Sequence, residues 1–242
     1  MANVSLRIIS PGYSGFEGAY IDSLLRTRKL CGEREIPFHW SCVEHRADII
    51  AVRNFIGDTF MKSGFTHLLM PDSDIGWDPN DLAKMIDYDK PFVAAAPPAK
   101  VLRLDTFAKA VKRELDHPER FLAKFWVDPI AEDKAKGRFT VDEAGFCKVE
   151  SVGSTFMLIK REVFETLAKL HPELHTKKGV GYFEHLTDDG DVFSEDLSFC
   201  RRWRKAGGDI HVFTNATMTQ TGPYTFTGNL AEFLRTDTGS LT

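Results

Sequence analysis

No Cys-x-x-Cys pair occurs in this chain of 242 residues, and its four cysteines (Cys31, Cys42, Cys147 and Cys200) stand far apart. That spacing argues against a zinc site or a disulfide framework and for free thiols in a reducing compartment. No apolar run approaches the roughly 20 residues needed to span a bilayer. The apolar part of the opening Val4–Ile9 stretch is too short for a signal peptide. The expectation is a soluble protein of a bacterial, viral or host cytoplasm. A large excess of charge of either sign is also lacking, with a net −4 and a pI near 6.1. Such a balance gives no global attraction to nucleic acid or anionic membrane, although a local basic face stays compatible with it. Internal repeats and low-complexity linkers are missing, and the length suits one large domain better than two.

The remaining composition, 43% hydrophobic and 27% charged, is that of an ordinary globular protein. Val4–Ser10 reads as a buried strand closed by the loop Pro11-Gly12-Tyr13-Ser14-Gly15. That loop lacks the G-x-G-x-x-G spacing of a dinucleotide fingerprint. Tyr20–Glu35 has helical spacing, with Ile21, Leu24, Leu25 and Leu30 on one face. Pro37–Val43 reads as a second strand and Ala47–Lys62 as a second helix, its apolar stripe being Ile49, Ile50, Val52, Phe55, Ile56 and Phe60. A third strand from His67 ends in Asp72-Ser73-Asp74. Asp78-Pro79 then supplies an N-cap and an N1 proline for a third helix. Phe92–Ala96 closes a β-α-β-α-β-α-β order, which predicts right-handed crossovers and a mostly parallel sheet flanked by helices.

Beyond Lys100 the pattern weakens. Basic residues from Lys100 to Lys124 alternate with Phe107, Phe121, Phe125 and Trp126. Two readings stand: a solvated helix face beside core aromatics, or an acceptor-binding flap. Phe146–Lys160 reads as strand around Gly153-Ser154-Thr155, and Arg161–Leu170 as helix. His171–Asp191 reads as a long loop suited to a functional closure. Ser194-Glu195-Asp196 opens a helix that ends at Gly207-Gly208, and Asp209–Phe213 is a last strand.

Two carboxylates one residue apart at a strand end are hard oxygen ligands at the edge of the sheet where ligands bind in open α/β folds. An EF-hand is excluded, because Trp77 stands at its glycine position and Ala83 at its bidentate glutamate. A haloacid-dehalogenase-type phosphatase is disfavoured, since its Asp-x-Asp follows the first strand and continues with Thr or Val. Glu195 and Asp196, at a helix N-terminus that favours the ionised form, are candidate general bases. Arg53-Asn54 is either an exposed polar pair or an arginine aimed at a phosphate.

Together, Arg53-Asn54, the strand into Asp72-Ser73-Asp74, the Gly153 strand and the Glu195-Asp196 helix resemble a GT-A glycosyltransferase of the family 2 type. The resemblance runs from the first strand to about Tyr224. It implies one GT-A-like domain over 1–242, with a nucleotide-binding half to about residue 99 and an acceptor and catalytic half from about residue 100. It implies that Pro11, Tyr13, Arg53, Asp72 and Ser73 line a UDP- or GDP-linked sugar. Asp74 and Asp72 would hold Mn²⁺ or Mg²⁺, and Gly153, Ser154 and Thr155 would lie beside sugar and acceptor. Asp196, or failing it Glu195, would be the base of an inverting transfer. Where many relatives place a His metal ligand this chain has Gln220, a weaker one, with His211 and His185 as substitutes. The acceptor stays open among a glycan, a protein, a lipid carrier and a modified DNA base. Two other readings remain: a binding module that has lost catalysis, and a nucleotidyltransferase, against which the first loop lacks the expected arginine.

Overall fold

The computed structural model describes residues 4–235. In chain order its elements are β1 (Leu6–Gly12), α1 (Gly18–Glu33), β2 (Phe38–Glu44), α2 (Ile49–Met61), β3 (His67–Pro71), β4 (Ile75–Gly76), α3 (Pro79–Asp87) and β5 (Phe92–Ala94). There follow α4 (Leu104–Lys112), β6 (Val127–Pro129), α5 (Ala131–Lys136), β7 (Phe146–Val152), β8 (Phe156–Lys160) and α6 (Arg161–Leu170). Two small hairpins come next, β9 (His175–Thr176) with β10 (Gly179–Val180) and β11 (Leu186–Asp188) with β12 (Asp191–Phe193). The chain then forms α7 (Glu195–Lys205), β13 (Ile210–Phe213), β14 (Thr217–Thr221), β15 (Thr225–Asn229) and α8 (Leu230–Arg235).

Alternation along the central strands builds a three-layer sandwich. Ile9, Leu68, Met70, Phe92 and Ala94 point to one face, where α2, α6 and α7 contribute Phe60, Phe164 and Phe199. Ile8, Leu69 and Val93 point to the other, onto Tyr20 and Leu24 of α1 and Leu82 and Met85 of α3. β3 is covered on both faces and buried throughout, which is why it is apolar at every position after His67.

The main sheet has the order β2-β1-β3-β8-β5-β13-β7-β6. Six of its eight strands run the same way, in keeping with a mostly parallel sheet; only β7 and β8 are reversed. The continuous Phe146–Lys160 strand expected from sequence is two strands with a turn at residues 153–155. They do not pair with each other: β8 inserts between β3 and β5, while β7 lies beyond β13. β1 also runs further than expected, through Pro11 and Gly12 in register with Val43 and Glu44. Its pairing with β3 has ended by Ile8, leaving a place where a proline is tolerated.

The two helical stripes rotate relative to the expectation. Ile21 and Leu25 are exposed, and α1 instead buries Tyr20, Ser23, Leu24, Thr27 and Cys31. Trp77 satisfies the buried hydroxyls, its backbone N–H donating to Ser23 Oγ at 2.9 Å and its indole N–H to Thr27 Oγ1 at 2.9 Å. In α2, Ile49 and Phe55 face outward, while Arg53 and Asp58 are buried beside Val52 and Ile56.

α7 stops as its sequence dictates, with Gly207 at φ +84° in the left-handed region. Gly208 is required for a different reason. A Cβ there would lie 1.9 Å from Cε2 of Trp203, a buried ring whose N–H donates to Asp209 O at 3.0 Å. Gly208→Ala is expected to destabilise the protein by about 3 kcal/mol, the upper end of an overpacking cost. Chemical denaturation would check it, and a change below about 1 kcal/mol would show that the Trp203 ring can move aside.

Candidate active site

Three backbone hydrogen bonds gather the chemistry at the carboxyl ends of β1 and β3. Asp72 N–H donates to Thr155 O at 3.0 Å, tying the β3 end to the turn before β8. Glu17 N–H donates to Ser73 O at 3.0 Å, and Thr221 N–H to Asp74 O at 2.9 Å. The last of these continues a three-stranded sheet of β15, β14 and β4, in which Gln220 pairs with Ile75. The far end of the chain thus lies directly against Asp74.

Two hollows open there. One, of about 380 Å³, is lined by Pro11, Tyr13, Arg46, Asp72, Ser73 and Asp74. A narrower one, of about 120 Å³, is lined by Trp126, Gly153, Ser154, Thr155, Asp196 and Gln220. Arg53 and Glu195 border both and form the partition between them. Apart from the substitute ligands His211 and His185, every residue given a role by the sequence lines one hollow or the other.

Arg53 is the hub. It is 5% exposed on α2, with Nη2 at 3.5 Å from Asp72 Oδ1 and Nη1 on Glu195 Oε1, a contact spanning 142 residues of chain. A guanidinium fork suits two carboxylates at once. Of the two readings of Arg53-Asn54, the exposed polar pair does not hold for the buried Arg53, which lines the wider hollow and clamps the strand-end motif to the α7 start. Burial pushes the Asp72 carboxyl above the ordinary carboxylate range, while Arg53 pulls the other way. Asn54, its neighbour, is a scaffold residue. It accepts from Phe183 N–H at 2.7 Å and donates to Glu184 Oε1 at 2.8 Å.

The two acids at the start of α7 differ in their partners. Glu195 is spent on Arg53. Asp196 accepts at Oδ1 from the Ser194 hydroxyl and from Leu197 N–H at 2.8 Å, while Oδ2 faces the Gly153 side of the narrow hollow. Ser194 occupies the cap position, but its hydroxyl serves Asp196 rather than a helix N–H. Above them Trp126 is 58% exposed, with the Lys124 ammonium 3.6 Å from its ring centroid.

Sequence reasoning missed Arg46 on the wider hollow, and it left open which parts of the basic, aromatic stretch reach the site. Between the two ends of that stretch α4 is a solvated helix packed on the small Ala110–Phe121 cluster. At one end Trp126 enters the narrow hollow, and at the other Lys100 Nζ contacts Asp74 Oδ2. The His171–Asp191 segment, expected as a loop able to close, is fastened along its middle. Asp58 Oδ1 accepts from Val180 N–H at 3.0 Å, and Arg202 donates to Glu184 O at 2.7 Å. His211 is buried in the sheet against Tyr88, and that burial lowers its pKa; it lies away from both hollows, as does His185.

No family model and no curated protein sequence matches the chain. Among solved structures it is similar to a glycosyltransferase involved in the glycosylation of the major capsid of PBCV-1. That match has 11% identity over 72% of this chain and 68% of that one, with a TM-score of 0.35, too low to carry an argument. It is also similar to GalNAc-T7 solved with UDP, GalNAc and Mn²⁺, at 11% identity over 89% of this chain and a TM-score of 0.50. The chain spans 43% of the length of that protein. No helix among the described residues is long and apolar enough to cross a membrane. By its likeness to a solved neighbour, the chain has the fold of a GT-A-type glycosyltransferase.

Proposed function

We propose that the protein is a nucleotide-sugar-dependent glycosyltransferase, transferring a sugar from a UDP- or GDP-linked donor to an acceptor hydroxyl with inversion. The observation that carries this reading is the Asp72–Arg53–Glu195 clamp. It joins a strand-end Asp-x-Asp to a helix-start acid pair across one cleft with a donor-sized hollow on one side. The order of these motifs supports the family 2 type, and the UDP and Mn²⁺ bound by GalNAc-T7 make that pair the first to try.

Asp74 and Asp72 would hold Mn²⁺ or Mg²⁺; Gln220, the further ligand read from the sequence, lines the neighbouring narrow hollow. Asp74 Oδ1 is buried and accepts no hydrogen bond among the described residues, as suits an atom meant for a hard cation. The described residues contain no group of three His, Cys, Asp or Glu able to hold a metal alone. Two carboxylates completed by substrate phosphates is a usual arrangement for Mg²⁺. When bound, the ion offsets charge growing on the departing nucleoside diphosphate.

The protein's own groups do the rest. Pro11 and Tyr13 form the wall against which the nucleotide lies, and Ser154 and Thr155 bound the sugar position. Asp196 Oδ2 takes the proton of the acceptor hydroxyl as its oxygen bonds to the anomeric carbon. The bond from that carbon to the diphosphate oxygen breaks, and the electron pair leaves with the phosphate. The exposed Trp126 face flanks the acceptor's approach.

Thermal shift with UDP and Mn²⁺ tests the reading, since a ligand that binds the native state alone raises the melting temperature with its concentration. Asp74→Ala is expected to remove the Mn²⁺-dependent part of that rise. Undiminished binding by this variant would refute the metal assignment.

A further inference from the structure

The contact between Lys100 and Asp74 has no counterpart in the sequence motifs. Lys100 follows β5 and the Pro97-Pro98 bend, 26 residues from Asp74, and its ammonium sits on Asp74 Oδ2. The other oxygen of that carboxylate is the buried, unpartnered Oδ1. The lysine stem is guided there by the turn between β14 and β15. A Cβ at Gly222 would come within 3.2 Å of Lys100 Cδ, so the absence of a side chain lets the stem lie against that turn. On the other side of the pair, the Asp72 carboxylate is already engaged by Arg53. Each acid of the Asp-x-Asp thus has its own cationic side chain before any ligand arrives.

We propose that Lys100 is a resident counter-ion of Asp74 that competes with a divalent cation for the carboxylate. An entering ion must displace an ammonium already in contact, in a site whose second acid is also committed. The protein alone then holds the metal weakly, and the additional oxygen ligands of a diphosphate are needed to tip the balance. The competition rests on the ion pair; only its use in catalysis rests on the glycosyltransferase reading.

Mn²⁺ titration of the full chain without nucleotide, followed by the electron paramagnetic resonance signal of the free ion, tests the proposal. Lys100→Met is expected to bind Mn²⁺ at least tenfold more tightly than the wild type. The double variant Lys100→Met, Asp74→Asn is expected to lose that gain. Lys100 is 40% exposed in its side chain, so the variant should melt close to the wild type. Equal affinities for wild type and Lys100→Met, or no Mn²⁺ binding by either, would overturn the proposal. Because the titration contains no nucleotide, failure of the sugar-nucleotide reading would show separately, as an unchanged melting temperature with UDP and Mn²⁺.

Discussion

Arg53→Met is expected to lower stability by about 3 kcal/mol, a shift in melting temperature of roughly 6–12 °C for a chain of this size. Methionine replaces the volume but not the charge, so two acids with side chains only 24% and 17% exposed lose their shared partner. Breaking a buried ion pair from one side costs about 3–5 kcal/mol, and the partial solvent access of both acids places this site at the low end. The deficit should also depend on pH. The native chain holds the Asp72 proton at a higher pH than the unfolded chain does, so protonating this group favours the native state as pH falls between the two values. Without Arg53 that window widens upward, and the deficit should be smaller at pH 5 than at pH 7.5. Arg53→Lys should recover only part of the loss, since a single ammonium cannot reach both acids as a fork does. Urea unfolding at the two pH values measures all of this; equal stability of Arg53→Met and wild type would show that the clamp holds nothing.

Asp196→Asn is expected to reduce sugar transfer by about 10²–10⁴-fold while leaving UDP binding and the melting temperature near their wild-type values. The substitution keeps an oxygen to accept from the Ser194 hydroxyl and from Leu197 N–H, so the helix start should keep its shape. Glu195→Gln should behave differently: it breaks the contact with Arg53 and therefore loses stability together with activity. Following donor consumption with and without acceptor separates transfer from plain hydrolysis. Full activity in Asp196→Asn together with its loss in a stably folded Glu195→Gln would move the base to Glu195. A wild type that binds UDP but consumes no donor would favour a binding module.

The parts of the fold set by local pattern could be read directly from the residues. The alternation of β-α units to β5, the Asp78 cap with Pro79 behind it, and the Gly207 stop of α7 are decided within a few positions of chain. The α1 stripe was misread because its buried face includes Ser23 and Thr27, polar residues that become acceptable only once Trp77, 54 and 50 residues away, satisfies them. The place of β8 was invisible for a similar reason: a fully apolar strand carries no mark of which neighbours it will join. In the site, residue identity pointed to the acids but not to their partners. Nothing local to Arg53 shows that its fork closes on Glu195, and nothing local to Lys100 shows that it reaches Asp74. Such assignments are made by the crossovers of the chain, not by its spacing.

The insertion of β8 between β3 and β5 bears on how the protein is made. The segment to about residue 99 contains all of the wider hollow's lining but Glu195, yet its β5 cannot join the sheet that β2, β1 and β3 form. The hydrogen-bonding edges of β3 and β5 that face each other are separated by a strand drawn from Phe156–Lys160. Until those residues emerge from the ribosome, two apolar edges stay open, the kind of surface that pairs with the wrong chain. About 60 more residues must be added first, roughly 3–12 s at ordinary rates of synthesis. The two halves named by chemistry are therefore not units of folding. A fragment ending near residue 99 should be recovered as aggregate, and fusion or permutation points belong outside the span from β3 to β8.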